Sequence, residues 1–100
     1  MVKLNKILSG CTGFEWDQGD ITKNWDGHDV STWECEQIFF SKPLIVKRDG
    51  VHSRLENRYY ALGRTNMERL LFAVFTVGND KIRIISARDM TDAEIKRYRK

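Results

Sequence analysis

The sequence predicts an α+β domain, in which a small antiparallel sheet of three to five strands is packed by helices. Three observations lead to this class. The chain has 100 residues and 41% hydrophobic residues, which suits one domain with its own core. Helix-capping signals lie in the first half and again near the C-terminus, and the segments between them alternate apolar and polar side chains. Strands in a run with helices set apart from them are typical of α+β domains.

The first half predicts a short strand followed by two helices. Residues 14–16 alternate in polarity as a strand does. Asp17 is placed to cap a first helix, which should end at residues 26–27, Asp-Gly. Ser31 and Glu34 form a capping box that opens a second helix through about Phe40. These elements give two N-terminal helices.

The tryptophans are expected to support this half of the domain from inside. Large aromatic side chains dominate burial, so each of the three is expected in the core: Trp16, Trp25 and Trp33. Pro43 closes the second helical segment, and a short strand follows at 44–46.

The second half predicts three further strands and a C-terminal helix. The strands are residues 57–63, 70–77 and 81–88, all rich in Tyr, Phe, Val and Ile. Residues 78–80, Gly-Asn-Asp, form a tight hairpin turn between the last two. Thr91 and Glu94 form a second capping box. The domain should span residues 14–100, with residues 1–13 an N-terminal extension, either an extra strand or a loose tail.

The charge is unevenly distributed along the chain. Residues 1–50 carry a net charge of −2 and residues 51–100 carry +5, and eight of the nine Arg lie in the second half. Because Arg binds phosphate through a planar fork, this half is a candidate for nucleic-acid contact. The two cysteines fit reduced thiols in a cytoplasmic protein, and no apolar run is long enough to span a membrane.

Three strand arginines are the first candidate site residues: Arg58, Arg83 and Arg88. They could clamp a phosphate on one face of the sheet, or they could form edge salt bridges, for instance with Glu56 or Glu94. Positions 83 and 88 differ in parity, so a regular strand points them to opposite faces. Both serve one site only if a β-bulge intervenes or Arg88 lies beyond the strand end.

Other candidates lie outside these strands. His28, in the link between the two helices, is a candidate acid or base, or it caps a helix-end carbonyl. Trp16 and either Tyr59 or Tyr60 could stack a nucleobase. The sequence has neither a glycine-rich phosphate loop nor clustered metal-ligand spacing, so neither a metal nor a cofactor is expected.

Several fragments together resemble one protein family. They are Phe14-Glu15-Trp16-Asp17, Lys23-Asn24, His28 with Val30-Ser31, Glu56-Asn57-Arg58, Ala61-Leu62-Gly63, Val74-Phe75-Thr76, the run from Ile82 to Arg88, Glu94 and Tyr98. In this order and spacing they are similar to the BrnT family of bacterial toxins, over about residues 14–98.

The resemblance implies a fold like that of the RelE/ParE toxins and a ribonuclease that arrests translation. It also implies a BrnA-type antitoxin, a DNA-binding protein that inhibits the toxin and brings it to operator DNA. The site residues carried over from the matching positions are Trp16, His28, Arg58, Arg83 and Arg88. Tyr60 and Lys23 are further substrate-binding candidates. Cleavage would use the 2′-hydroxyl of RNA as nucleophile, with the arginines on the phosphate and without a metal ion.

Three positions depart from the family pattern. Asp29 replaces a usual Gly, Val77 a frequent basic residue, and Asp89 a frequent Lys. Each change removes positive charge or adds negative charge near the expected site. The alternative hypothesis is therefore a divergent, non-catalytic member that acts as a protein- or RNA-binding module or a co-repressor. A third hypothesis is an RNA-binding protein without an antitoxin.

Overall fold

The computed structural model describes residues 8–50 and 57–100, and it contains the predicted helices and strands. In chain order the elements are β1 (Gly13–Glu15), α1 (Gln18–His28), α2 (Thr32–Ile38), β2 (Ile45–Arg48), β3 (Arg58–Arg64), β4 (Leu70–Gly78), β5 (Lys81–Asp89) and α3 (Asp92–Tyr98). The predicted α+β class is confirmed. The sequence predicts a polar loop over residues 47–56. Lys47 and Arg48 instead extend β2, and residues 51–56 lie outside the described part of the chain.

The five strands form one mixed sheet in the order β1-β5-β4-β3-β2. Neighbours from β2 to β5 are antiparallel, as predicted. β1 instead runs parallel to β5, with Glu15 opposite Arg83. A hairpin forces its two strands to be antiparallel, but β1 and β5 are far apart in the chain and no turn constrains their direction.

The β4–β5 hairpin has two features that set the direction of its side chains. Asn79 and Asp80 both have positive φ, 52° and 61°, which is the geometry of a two-residue turn. In the ladder, Val74 is opposite Ser86 and the next residue of β4, Phe75, is opposite Ile84. Ile85 is thus an extra residue, a β-bulge, and it reverses the alternation of the residues that follow.

The helix caps are those the sequence predicts. Asp17 accepts a hydrogen bond from the Gly19 N–H, and Ser31 and Thr91 each complete a capping box. The predicted end of α1 at residues 26–27 is wrong, because the helix continues through His28. The chain turns at Asp29, which takes the left-handed conformation with φ 54° and ψ 37°. Asp tolerates this conformation better than most residues, so Gly is not required.

The sheet has two unlike faces. α1 and α2 cover one face, over a core whose largest buried members are Val30, Cys35, Ile38, Leu71, Phe75 and Ile84. On the other face α3 covers a smaller cluster of Leu62, Met90 and Tyr98. The remainder of this second face carries the side chains of Arg58, Tyr60, Val74, Thr76 and Arg83, and we call it the open face.

Two of the three tryptophans are not in the core. Trp25 is 55% exposed and Trp33 is 70% exposed, which corrects the prediction for both. α1 buries Asn24 and α2 buries Cys35 and Ile38, so each helix is rotated with its tryptophan toward solvent. Trp16 is partly buried against the core, as expected.

The described part of the N-terminal extension contacts the domain. Leu8 and Cys11 pack against the main core, and the Thr12 N–H donates to the Asp80 carbonyl at 2.6 Å. Cys11 and Cys35 are both free thiols, as predicted, and burial raises the pKa of Cys35 to about 12. No helix in the described parts of the chain is long and apolar enough to cross a membrane.

Candidate active site on the open face

One row of paired residues crosses the open face at the end of the sheet away from α3. Arg58 is opposite Thr76, Thr76 is opposite Arg83, and Arg83 is opposite Glu15. Paired residues point to the same side of a sheet, so these four side chains share the open face. Three of them, Glu15, Thr76 and Arg83, line a pocket of about 230 Å³ together with Asn57, Val77, Gly78 and Asn79.

Arg83 is the member of this row best placed to bind an anion. It is exposed, and it forms no ion pair with any residue that the structure describes. Its Cα lies about 10 Å from that of Arg58, two strands away. The side chains of Arg58 and Arg83 are long enough to reach one phosphate between the two strands. Thr76 between them is 6% exposed. The arrangement offers the Arg83 guanidinium to a phosphate, with Arg58 two strands away on the same face.

Glu15 brings a carboxylate to the same pocket. It is exposed and lies on β1, about 5 Å from Arg83 across the parallel ladder. Glu15 is not among the site residues that the sequence predicts. The alternation of apolar and polar residues at 14–16 predicts a strand, but it does not predict which strand of the sheet this segment pairs with. The signal that could have found Glu15 is its place in the Phe-Glu-Trp-Asp fragment. A carboxylate beside a phosphate-binding Arg can accept a proton from a reacting hydroxyl.

Arg88 shares the open side of the sheet with Arg83 but not its pocket. The bulge at Ile85 puts both on the same side, yet their β4 partners, Phe72 and Thr76, are about 13 Å apart along the strand. Glu94 accepts two hydrogen bonds from Arg88, at 2.8 and 3.0 Å, and the guanidinium lies 4.1 Å from the centre of the Phe72 ring. This hydrogen bonding lowers the pKa of Glu94. Arg88 therefore holds α3 against the sheet.

Tyr60 lies on the open face between these two arginine positions. It follows Arg58 by two residues on β3 and is opposite Val74 and Lys47. Its ring stacks on Phe72 with centroids 5.4 Å apart. Tyr59 points to the helix-covered face and stacks on Phe75. Of the two tyrosines, Tyr60 is the one near the candidate site.

His28 is not brought together with Arg58 and Arg83. It ends α1 at the far end of β5, where it acts on the carboxylate of Asp89 through its charge. Asp89 and Arg83 have β4 partners five residues apart, about 17 Å along the strand. The backbone carbonyl of His28 accepts a hydrogen bond from Arg69 at 3.0 Å.

A cluster around Arg69 fixes this far end of the molecule. Arg69 donates to both carboxylate oxygens of Asp89, at 2.7 and 3.2 Å, to Glu34 at 3.1 Å, and to the carbonyl of Asp29 at 2.8 Å. Its guanidinium lowers the pKa of Asp89, and with Ser31 it lowers that of Glu34 despite burial. Arg69 thus joins both N-terminal helices to β5. No local sequence pattern indicates such a contact.

Trp16 and Lys23 have contacts on the helix side. The Trp16 indole N–H donates to Glu36 Oε2 at 2.9 Å, which ties the segment after β1 to α2. Lys23 lies on the surface of α1, 3.7 Å from Asp20. Neither side chain lines the pocket beside Arg83.

The three departures from the family pattern have structural roles. Asp29 caps α1 and Asp89 pairs with Arg69, both at the far end of β5 from Arg83. The Val77 side chain packs against the main core, although the residue also lines the pocket. No cluster of three or more potential metal ligands occurs within residues 8–50 and 57–100.

Comparison with known proteins identifies the class that this fold and site define. Residues 16–94 match a family model described as the ribonuclease toxin BrnT of type II toxin–antitoxin systems. The structure resembles the crystal structure of the Brucella abortus ribonuclease toxin BrnT, with a TM-score of 0.60 and 20% identity. The match covers 81% of this chain and 99% of the Brucella chain. No curated protein gave a significant match.

The protein is therefore a toxin of the ribonuclease class found in type II toxin–antitoxin systems, and an antitoxin partner follows from that class. The family match spans most of the chain, from the residue after β1 to the first turn of α3. The chain belongs to the BrnT family, as its sequence fragments indicated.

Proposed function

We propose that this toxin is a metal-independent endoribonuclease whose cleavage site is the pocket beside Arg83. The observation that carries the proposal is the meeting of a guanidinium and a carboxylate there. Arg83 and Glu15 are paired across β5 and β1, and both line one open pocket. An anion binder next to a proton acceptor is what cleavage of RNA by its own 2′-hydroxyl requires.

In this reaction the 2′-oxygen of RNA attacks the adjacent phosphorus. The bond from phosphorus to the 5′-oxygen of the next nucleotide breaks, which leaves a 2′,3′-cyclic phosphate and a 5′-hydroxyl. Glu15 accepts the proton of the 2′-hydroxyl, and the departing oxygen takes a proton from solvent. Arg83 and Arg58 bind the phosphate and stabilise its developing charge. Tyr60 lies one row away, where it can contact a neighbouring nucleotide.

Loss of cytoplasmic RNA would arrest translation, and the antitoxin would prevent this by covering the open face. A BrnA-type, DNA-binding antitoxin would recruit the toxin to operator DNA, so that the toxin itself does not contact DNA. Arg83 forms no ion pair within residues 8–50 and 57–100, and its positive charge favours an acidic segment of the antitoxin at that position.

The alternative, a non-catalytic binding module, is based on the charge changes at Asp29, Val77 and Asp89. The two carboxylates lie at the far end of β5 from Arg83, whereas Val77 lines the pocket. The negative charge of Asp89 is paired with Arg69.

Induced expression of the chain without its antitoxin tests the proposal. We expect the wild type to arrest growth and deplete total RNA, and we expect Arg83→Ala to relieve both because the phosphate loses its binding group. Arg64→Ala is the matched control, since Arg64 forms only a surface pair with Glu68 at 3.9 Å. It should remain toxic.

Two results would reject this assignment. Normal growth with intact RNA and a well-folded wild type would favour the non-catalytic module. Full toxicity of Arg83→Ala would move the cleavage site away from the pocket.

A further inference from the structure

Four side chains form a continuous stack across the sheet beside the candidate site. The guanidinium of Arg97, on α3, lies 5.5 Å from the centre of the Tyr60 ring. Tyr60 stacks on Phe72 with an interplanar angle of 25°, and the guanidinium of Arg88 lies over Phe72. Cations over aromatic rings are held by the ring quadrupole and remain able to donate hydrogen bonds from their edges.

The two cationic ends of this stack differ. Arg88 is paired with Glu94 and donates to the carbonyl of Asp89, and these contacts use most of its donors. Arg97 is exposed and forms no ion pair with the described residues. It is therefore the end of the stack that can bind an added anion.

The free end of the stack lies on the same face of the sheet as the proposed cleavage pocket, toward α3 from it. Tyr60 follows Arg58 by two residues on the same face of β3, about 7 Å further along the sheet. Lys47, directly opposite Tyr60 on β2, is also exposed on this side. Positive charges and an aromatic ring thus continue from Arg83 and Arg58 toward α3.

We infer that this surface is a binding track for single-stranded RNA, with Arg97 on the phosphate of a nucleotide neighbouring the cleaved one. The inference rests on the proposed function, because it extends the same site. Tyr60 is half-buried, with its ring against Phe72 and Arg97, so this surface offers an RNA strand mainly a row of cations. A flexible single strand can follow such a row phosphate by phosphate. A duplex would present its phosphates but keep its bases stacked inside.

Binding of a 2′-O-methyl oligouridylate of about 12 nucleotides, titrated over a range of salt concentrations, tests the track. This RNA lacks the attacking hydroxyl, so binding is measured without cleavage. Arg97→Ala should weaken binding about tenfold, as expected for loss of a charged hydrogen bond. It should also reduce the slope of log affinity against log salt by about 0.7, one phosphate contact on a single strand.

Arg99→Ala is the matched control. Arg99 is the exposed C-cap of the same helix, and two positions along a helix turn a side chain by about 200°. Its substitution should leave the binding constant unchanged. Cleavage assays on unmodified RNA should show a raised KM and an unchanged kcat for Arg97→Ala, because Arg97 does not contact the reacting phosphate.

The outcomes separate this inference from the proposed function. Wild-type affinity and salt slope in Arg97→Ala would overturn the track, whether or not the wild type cleaves RNA. Equal affinity of the wild type for the same RNA annealed into a duplex would also overturn it. If the wild type binds the oligonucleotide as expected but cleaves no RNA, the proposed function fails while the track stands. Failure of the wild type to bind the oligonucleotide would overturn the track, and cleavage of unmodified RNA would then decide the proposed function separately.

Discussion

Arg83 and Arg88 show how one inserted residue decides which side chains share a face. Alternation alone places them on opposite faces, and the bulge at Ile85 places them on the same one. Their surroundings then separate them. Arg88 is paired with Glu94, whereas Arg83 faces an open pocket with Glu15. A sequence can nominate an arginine, but only its neighbours in space tell whether it braces the fold or binds a ligand.

The proton acceptor can be tested at the residue scale. Glu15→Gln should lower kcat for RNA cleavage by at least about 100-fold, because the 2′-hydroxyl loses its base. Binding of the 2′-O-methyl RNA should persist, since Gln keeps the shape and removes a repelling charge. His28→Ala should leave kcat unchanged, because His28 lies at the far end of β5. Single-turnover cleavage of a defined RNA measures the cleavage rate constant of each folded variant.

The opposite pattern would restore His28 as the catalytic base. Loss of cleavage in His28→Ala, together with full activity of Glu15→Gln, would require a substrate path around the end of the sheet.

At the scale of elements, α1 completes the outer edge of β5. β1 pairs with β5 only from Lys81 to Arg83. Past Arg83, no described strand lies on the side of β5 away from β4, so the N–H of Ala87 on that side has no strand carbonyl to bond. Asn24 Oδ1 accepts its hydrogen bond at 3.1 Å. This hydrogen bond explains why α1 turns the polar Asn24 toward the sheet and the apolar Trp25 toward solvent, the reverse of what their hydrophobicity predicts. Helical periodicity cannot predict it, because the unpaired N–H belongs to a strand more than 60 residues away.

Close contact between α2 and β3 requires glycine at position 63. A Cβ there would lie 2.8 Å from the carbonyl oxygen of Ile38 and 2.9 Å from Ser41 Oγ. Gly63→Ala should therefore destabilise the fold by roughly 1–3 kcal/mol, as overpacking does. Chemical denaturation measures the free energy of unfolding.

Gly27→Ala is the comparison. Gly27 is helical and has nothing within 4 Å of an added Cβ, so this change should stabilise the fold by up to about 1 kcal/mol. Equal effects of the two substitutions would mean that α2 and β3 are not in close contact.

At the scale of the whole molecule, the sequence predicted what local patterns determine. Capping boxes at Ser31 and Thr91 and the two-residue period of β3 to β5 located most of the elements. Long-range contacts determined the rest, including the parallel pairing of β1 and the distance of His28 from Arg83. Most of the fold was therefore predictable, whereas the place of Glu15 beside Arg83 and the distance of His28 from both were not.

The arginines of the second half also have two kinds of role that net charge cannot distinguish. Arg69 and Arg88 form ion pairs that join helices to the sheet. Arg83 and Arg97 are exposed and have no such pairs with the described residues. The positive half of the chain thus supplies both the bracing of the fold and the proposed RNA-binding surface.

The ends of the RNA fragments that the purified protein produces in the presence of EDTA distinguish 2′-hydroxyl attack from metal-dependent hydrolysis. We expect fragments that end in a 2′,3′-cyclic phosphate and begin with a 5′-hydroxyl, and no cleavage where the nucleotide 5′ to the scissile phosphate is 2′-deoxy. Fragments with 3′-hydroxyl and 5′-phosphate ends, or cleavage that stops when EDTA is added, would contradict this expectation.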